Sequence, residues 1–68
     1  MLLLVNTDTA KIHRAWPNKT LDLDSINKDK KLKEHESVCN RFKPVGQKNA
    51  KFIYGTFDDI TCKYCREG

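Results

Sequence analysis

The sequence predicts a small α+β domain, mostly β, with an N-terminal hairpin and a C-terminal cysteine knuckle. Three observations predict it. Residues 1–16 hold two strand-like runs around a polar turn, and residues 50–54 hold another such run. Cys62-Lys63-Tyr64-Cys65 places two thiols two residues apart. The composition is too polar for a large core: apolar residues are 38% of the chain and charged residues 32%.

Length sets the first constraint. Sixty-eight residues allow one domain, residues 1–68. A chain this short buries only about 60% of the surface its unfolded form exposes. Such a domain needs disulfides or a metal as a staple. There are three cysteines, so they cannot all pair with one another. The apolar run at residues 1–5 is too short for a secretory leader and lacks a basic flank. No stretch approaches the ~18–20 apolar residues of a membrane span. We therefore expect a cytoplasmic chain with reduced thiols and no membrane partner, which favours metal over disulfide.

The elements follow in order. Residues 1–5 are apolar and predict a buried strand. Asn6-Thr7-Asp8-Thr9 is rich in residues that bond their own backbone and predicts a turn. Residues 10–16 alternate in part. Ala10, Ile12, Arg14 and Trp16 share one face; Lys11, His13 and Ala15 share the other. Pro17-Asn18 breaks the pattern. Asp24-Ser25 offers a helix cap. Residues 24–37 then read as a lysine-rich exposed helix or loop insertion, with only Ile26 and Leu32 as apolar anchors in its helical run. Val38-Cys39-Asn40 predicts a turn, Ala50-Lys51-Phe52-Ile53-Tyr54 a strand ended by Gly55, and residues 63–67 a short helix capped by Thr61.

Two cysteines at this spacing can grip one metal ion from the same side, and Zn²⁺ is the usual occupant. A structural zinc site takes four ligands. Cys62 and Cys65 supply two, and Cys39 is the only other cysteine. The fourth ligand is His13 or His35, the only histidines. His35 and Cys39 have a spacing that one turn can bring to one metal. His13 would tie the hairpin to the knuckle, and closing a long loop removes the most freedom from the unfolded chain. Against His35 stands its setting between Glu34 and Glu36 in a very polar run. Helix-start amides beyond Thr61 are expected to donate to the sulfurs.

Three islands carry a resemblance: Lys11-Ile12-His13-Arg14-Ala15, Val38-Cys39-Asn40 and Ile60-Thr61-Cys62-Lys63-Tyr64-Cys65. They resemble a group of small phage and bacterial zinc-ribbon-like proteins, mostly uncharacterised. In that group a strand bears hydrophobic-His-Arg/Leu-Ala, a Leu/Val-Cys-Gly turn follows, and a Val/Ile-Thr-Cys-Lys-x-Cys segment closes the domain. Asn40 stands where the group has Gly, and Asn also tolerates a left-handed turn. The resemblance implies a zinc-ribbon-like fold with a purely structural zinc. Together with the strand setting, it puts His13 ahead of His35. It also implies a phage-encoded interaction module that binds, and inhibits or redirects, a host enzyme or defence component.

Other function classes are weighed against this one. Net charge is +4. Lys28, Lys30, Lys31 and Lys33 read first as a solvated face and second as a partner-binding patch. Zinc ribbons also bind DNA or RNA, and these lysines with Arg41, Lys43, Lys48, Lys51, Lys63 and Arg66 offer phosphate contacts. Tyr54 or Tyr64 offers a stacking platform. Nine acidic residues and only three arginines count against nucleic acid. Trp16, Phe42 and Tyr54 are candidate partner anchors, although burial is the expected fate of aromatics in so small a core. Catalysis is not expected. The His-x-Glu and Pro-Cys-x₂-Cys pattern of zinc deaminases is missing, and a thioredoxin-type dithiol needs a larger βαβ setting.

Overall fold

The computed structural model describes residues 1–16, 22–28, 35–45 and 47–67. The architecture is mostly β. A four-stranded antiparallel sheet runs in the order β3-β2-β1-β4. Its strands are β1 (Leu2–Asn6), β2 (Lys11–Trp16), β3 (Glu36–Ser37) and β4 (Ala50–Tyr54). Two short helices complete it, α1 (Leu23–Lys28) and α2 (Lys63–Glu67).

β1 is central because it is the most apolar strand. A strand with neighbours on both edges and cover on both faces can carry a continuous apolar run. Leu2, Leu3 and Leu4 are all fully buried. β1 pairs with β2 through Leu3↔Arg14 and Leu4↔His13. It pairs with β4 through Leu3↔Ile53 and Leu4↔Phe52. Directly opposed residues share a face, so Leu2, Leu4, His13, Ala15, Ala50 and Phe52 lie on one side of the sheet. Leu3, Ile12, Arg14 and Ile53 lie on the other.

Each face has its own core. Ile26 of α1 packs with Leu2, Leu4, Ala15, Ala50 and Phe52. Leu3 packs with Ile60, Cys62 and Cys65 on the opposite side. A continuation of the β1–β4 ladder, from Gly55 N–H to the Met1 carbonyl at 3.1 Å, brings the chain across to the second face. Gly55 lets two side chains approach closely there. A Cβ at this position would meet Asp59 Oδ2 at 2.6 Å and Leu3 Cδ1 at 2.8 Å.

Several local expectations are corrected. The cap of α1 is Asp22, two residues ahead of Asp24-Ser25. Its carboxylate accepts from Asp24 N–H at 3.3 Å and from the Ser25 hydroxyl at 3.0 Å, and its carbonyl accepts from Ile26 N–H at 3.0 Å. The stretch at residues 24–37, expected as an exposed helix or loop insertion, is described only in part, because residues 29–34 lie outside the described residues. Ile26, His35 and Ser37 are buried, and Glu36–Ser37 adds a strand that no pattern announces. Thr61 does not cap α2. Its hydroxyl accepts from Ile12 N–H at 2.8 Å, and the first helical bond runs from Arg66 N–H to the Cys62 carbonyl at 3.1 Å. Trp16 and Tyr54 are exposed instead of buried.

Candidate metal centre

The outer edge of β2 organises the site. β3 covers only its end, through Ala15↔Ser37 and Trp16↔Glu36. Earlier along the strand, the Ile12 carbonyl accepts from both Thr61 and Cys62 N–H groups, at 3.1 and 3.0 Å. The Arg14 carbonyl accepts from Val38 N–H at 2.8 Å. The two cysteine-bearing segments are thus hydrogen-bonded to the same strand edge, one on either side of His13.

This brings His13, Cys39, Cys62 and Cys65 together, with one donor atom from each within 4.8 Å of every other. Nδ1 of His13 lies 3.6 Å from Cys39 Sγ and 3.7 Å from Cys65 Sγ. Cys39 and Cys62 sulfurs are 3.9 Å apart. All three cysteines are free. The group is close enough to bind a metal. A tetrahedral zinc with Zn–S of about 2.3 Å and Zn–N of about 2.0–2.1 Å has S···S edges of about 3.8 Å and S···N edges of about 3.6 Å. Three of the six edges, His13–Cys39, His13–Cys65 and Cys39–Cys62, match those values, and the rest lie within 4.8 Å.

The surroundings suit a cation. Burial, with the Lys11 charge as a second cause, holds the His13 imidazole below its ordinary value of 6.5, so Nδ1 is available as a lone-pair donor at neutral pH. Burial also pushes the Cys65 thiol up to about 11, despite amide bonds from Arg14 and Cys39. Without a cation beside it, that thiol keeps its proton. Cys39 behaves differently. Burial, its largest influence, works upward but is outweighed by the Ser37 hydroxyl, the Arg41 amide and the two neighbouring thiols, and the net shift is downward. Hydrogen bonds of this kind stabilise thiolate and orient it. The amides that serve Cys39 and Cys65 come from Arg14, Cys39 and Arg41, not from the start of α2 as the sequence suggested.

Two residues that the sequence did not tie to the metal site shape it. Ser37 is fully buried, and its hydroxyl sits 3.3 Å from Cys39 Sγ while accepting from Phe42 N–H at 3.1 Å. Phe42 stacks on the His13 ring, with centroids 5.4 Å apart and planes 22° from parallel. Neither has a sequence signal, since a serine two residues before a cysteine is commonplace. Phe42 also packs against the Leu4 cluster, whereas Cys62 and Cys65 belong to the Leu3 cluster. The four donors therefore wrap the edge of the sheet and join its two cores.

His35 is not in the group. It is buried, with its ring edge-on to Phe52 at 5.5 Å. Lys28 is exposed in the last turn of α1, and Lys30, Lys31 and Lys33 lie outside the described residues. Arg41, Lys43, Lys48, Lys51, Lys63 and Arg66 are all exposed. Two of them lean on aromatic rings, Arg41 over Tyr64 at 3.8 Å and Arg66 over Phe57 at 5.1 Å. Among the described residues, no helix is long and apolar enough to cross a membrane. No family model, no curated protein and no solved structure matches the chain.

Proposed function

We propose that the chain is a small, zinc-stapled, zinc-ribbon-like interaction module whose metal is structural and whose target is a protein. One observation supports this above the rest. Four donors of the types zinc prefers lie within 4.8 Å of one another across the joint between two small cores, three of their separations at tetrahedral values. His13, through Nδ1, and the thiolates of Cys39, Cys62 and Cys65 would hold the ion. Four protein ligands leave no position for a reactive water, which favours a structural role over catalysis. The zinc would supply the charge that lets the buried Cys65 ionise. The protein's own contribution is to fix the sulfurs by amide and hydroxyl bonds and to cover the imidazole with Phe42.

In this reading the chain works in the cytoplasm, that of a host cell if it is phage-encoded, and acts by binding a host enzyme or defence component. Exposed Trp16 and Tyr54 support a protein target, because aromatics concentrate binding energy at interfaces. A second reading, nucleic-acid binding, draws on the guanidinium–aromatic pairs of Arg41 with Tyr64 and Arg66 with Phe57. Binding to a single-stranded oligonucleotide that weakens steeply with salt would favour the second reading; salt-indifferent capture of a protein favours the first.

Native mass spectrometry before and after a chelator tests the metal. We expect one zinc per chain, retained in His35→Ala and lost in His13→Ala. Retention in His13→Ala with loss in His35→Ala would move the site, and a metal-free wild type would remove it.

A further inference from the structure

Past the metal centre, β2 ends at Trp16, which is paired directly with Glu36 of β3. Cross-strand partners stand side by side on one face, so an indole and a carboxylate project together. Trp16 is 57% exposed and is the only tryptophan in the chain. With Glu36, Ser37, Val38 and Asn40 it lines a surface recess of about 330 Å³. The recess has a firm floor. Val38 packs against the Leu3 cluster and is hydrogen-bonded to the Arg14 carbonyl, and Ser37 N–H donates to the Phe42 carbonyl at 3.0 Å. Cys39, the next residue, is held at the metal centre.

The charge pattern is unusual for this chain. The protein carries a net charge of +4, yet the polar group beside its most exposed aromatic is an acid. Among the described residues nothing pairs with the Glu36 carboxylate. Arg14, on the same face of β2, is partly buried and makes no ion pair with it. A carboxylate unpaired among the described residues and flanked by an indole suits a planar cation.

We propose that this recess takes an arginine side chain presented by a protein partner. A guanidinium can stack flat on the indole while its edge forms paired hydrogen bonds to the carboxylate, and a lysine ammonium cannot do both. The proposal deepens the protein-module reading above and rests on it. Because Val38 adjoins Cys39, a bound metal would also hold the recess in shape.

The test uses the zinc-loaded full chain and acetyl-Gly-Arg-Gly-amide as probe, against the same peptide with lysine or with citrulline. Trp16 fluorescence and the Trp16 indole, Val38 and Asn40 amide resonances report binding. We expect saturable, millimolar binding of the arginine peptide, weaker binding of lysine, and citrulline weaker by about tenfold or more. Glu36→Gln should reduce arginine binding to the citrulline level while zinc content and melting stay unchanged. Trp16→Ala should silence the Val38 and Asn40 shifts.

Equal responses to arginine and citrulline would overturn the proposal, as would lysine binding as tightly or no effect of Glu36→Gln. Displacement of the peptide by a short single-stranded oligonucleotide that itself docks on Trp16 would also overturn it. Failure with zinc retained counts against the recess alone. A zinc-free wild type counts against the module reading instead.

Discussion

The two outer edges of the sheet are closed in different ways. At β4 the edge is closed by one side chain. The Asn27 amide donates to the Phe52 carbonyl at 3.1 Å and accepts from Phe52 N–H at 2.7 Å, as a neighbouring strand would. Ile26, the residue before it, fills the core beneath. At β2 the edge is closed by two segments remote in sequence, around residues 38 and 61, and by the cluster of four donors. Unpaired strand edges are a liability that must be covered. The β4 side covers its edge with apolar burial and neutral hydrogen bonds. The β2 side has three thiols and a histidine where a larger protein would have more apolar core, a group close enough to bind a metal.

Breaking the β2 side should have the largest effect. Cys62→Ser, or chelation of the wild type, should abolish cooperative melting. Structural zinc contributes on the order of 10 kcal/mol or more in small domains, which rivals a domain's whole stability of about 5–15 kcal/mol. Circular dichroism melts with and without chelator check this; an unchanged melt in Cys62→Ser would show that the edge holds without the ion. Acid should act in the same direction. The His13 imidazole is held below 6.5, so an unfolded chain takes up its proton first. Any folded metal-free population should therefore shrink as pH drops from 6.5 towards the lower folded value. In the loaded protein, protons also compete for the ligands, so zinc release by a colorimetric chelator should steepen below neutrality.

The sequence disclosed the β2 side far better than the β4 side. Cysteine spacing is a chemical signal that survives a weak core and points to Cys39, Cys62 and Cys65; the choice of His13 over His35 rests on the strand setting and the resemblance together. The strand runs at residues 2–6, 11–16 and 50–54 were also readable, because their apolar residues fall in short blocks between turn formers. The β4 closure was hidden. An asparagine whose amide imitates a strand has no periodicity, and Ile26 looked isolated because its partners Leu4 and Phe52 are distant in sequence. β3 was hidden for a related reason: two residues cannot show alternation, and the Ala15↔Ser37 pairing is set by the Cys39 turn beside it. His35 illustrates the limit of reading flanks. Its neighbours are acidic, yet its ring is buried against Phe52.

The β4 side offers a middle range of effects. Ile26→Ala removes a side chain that is 1% exposed and should cost about 2–5 kcal/mol, through lost burial and the cavity left behind. Asn27→Leu leaves the Phe52 N–H and carbonyl without partners and should cost about 1–3 kcal/mol. In both variants zinc should remain bound, because no ligand is touched. Urea denaturation of the loaded proteins, with zinc content measured alongside, checks the pair. Loss of zinc from Asn27→Leu at low urea would mean that the two edges are coupled through the sheet and do not act separately.

The smallest expected effects belong to two left-handed residues, Ala10 at the hairpin tip that joins β1 to β2 and Asn40 beside Cys39. Ala10 has φ of 60°, a left-handed conformation that costs an L-residue with a Cβ about 1–2 kcal/mol. Glycine removes that cost but adds roughly 0.5–1 kcal/mol of backbone entropy to the unfolded state. Ala10→Gly should therefore stabilise the protein by about 0.5–1 kcal/mol, by the same amount with and without zinc wherever a transition can be followed. Asn40 also has φ of 60°, but asparagine tolerates this region, so Asn40→Gly should gain a few tenths of a kcal/mol at most. The position of Asn40 makes the comparison informative. It follows Cys39 directly, so any gain there should appear as tighter zinc retention, whereas a gain at Ala10 should not. A metal-dependent effect of Ala10→Gly would place the hairpin tip within the cooperative unit of the zinc edge and move the boundary between the two sides to the turn at residues 7–10.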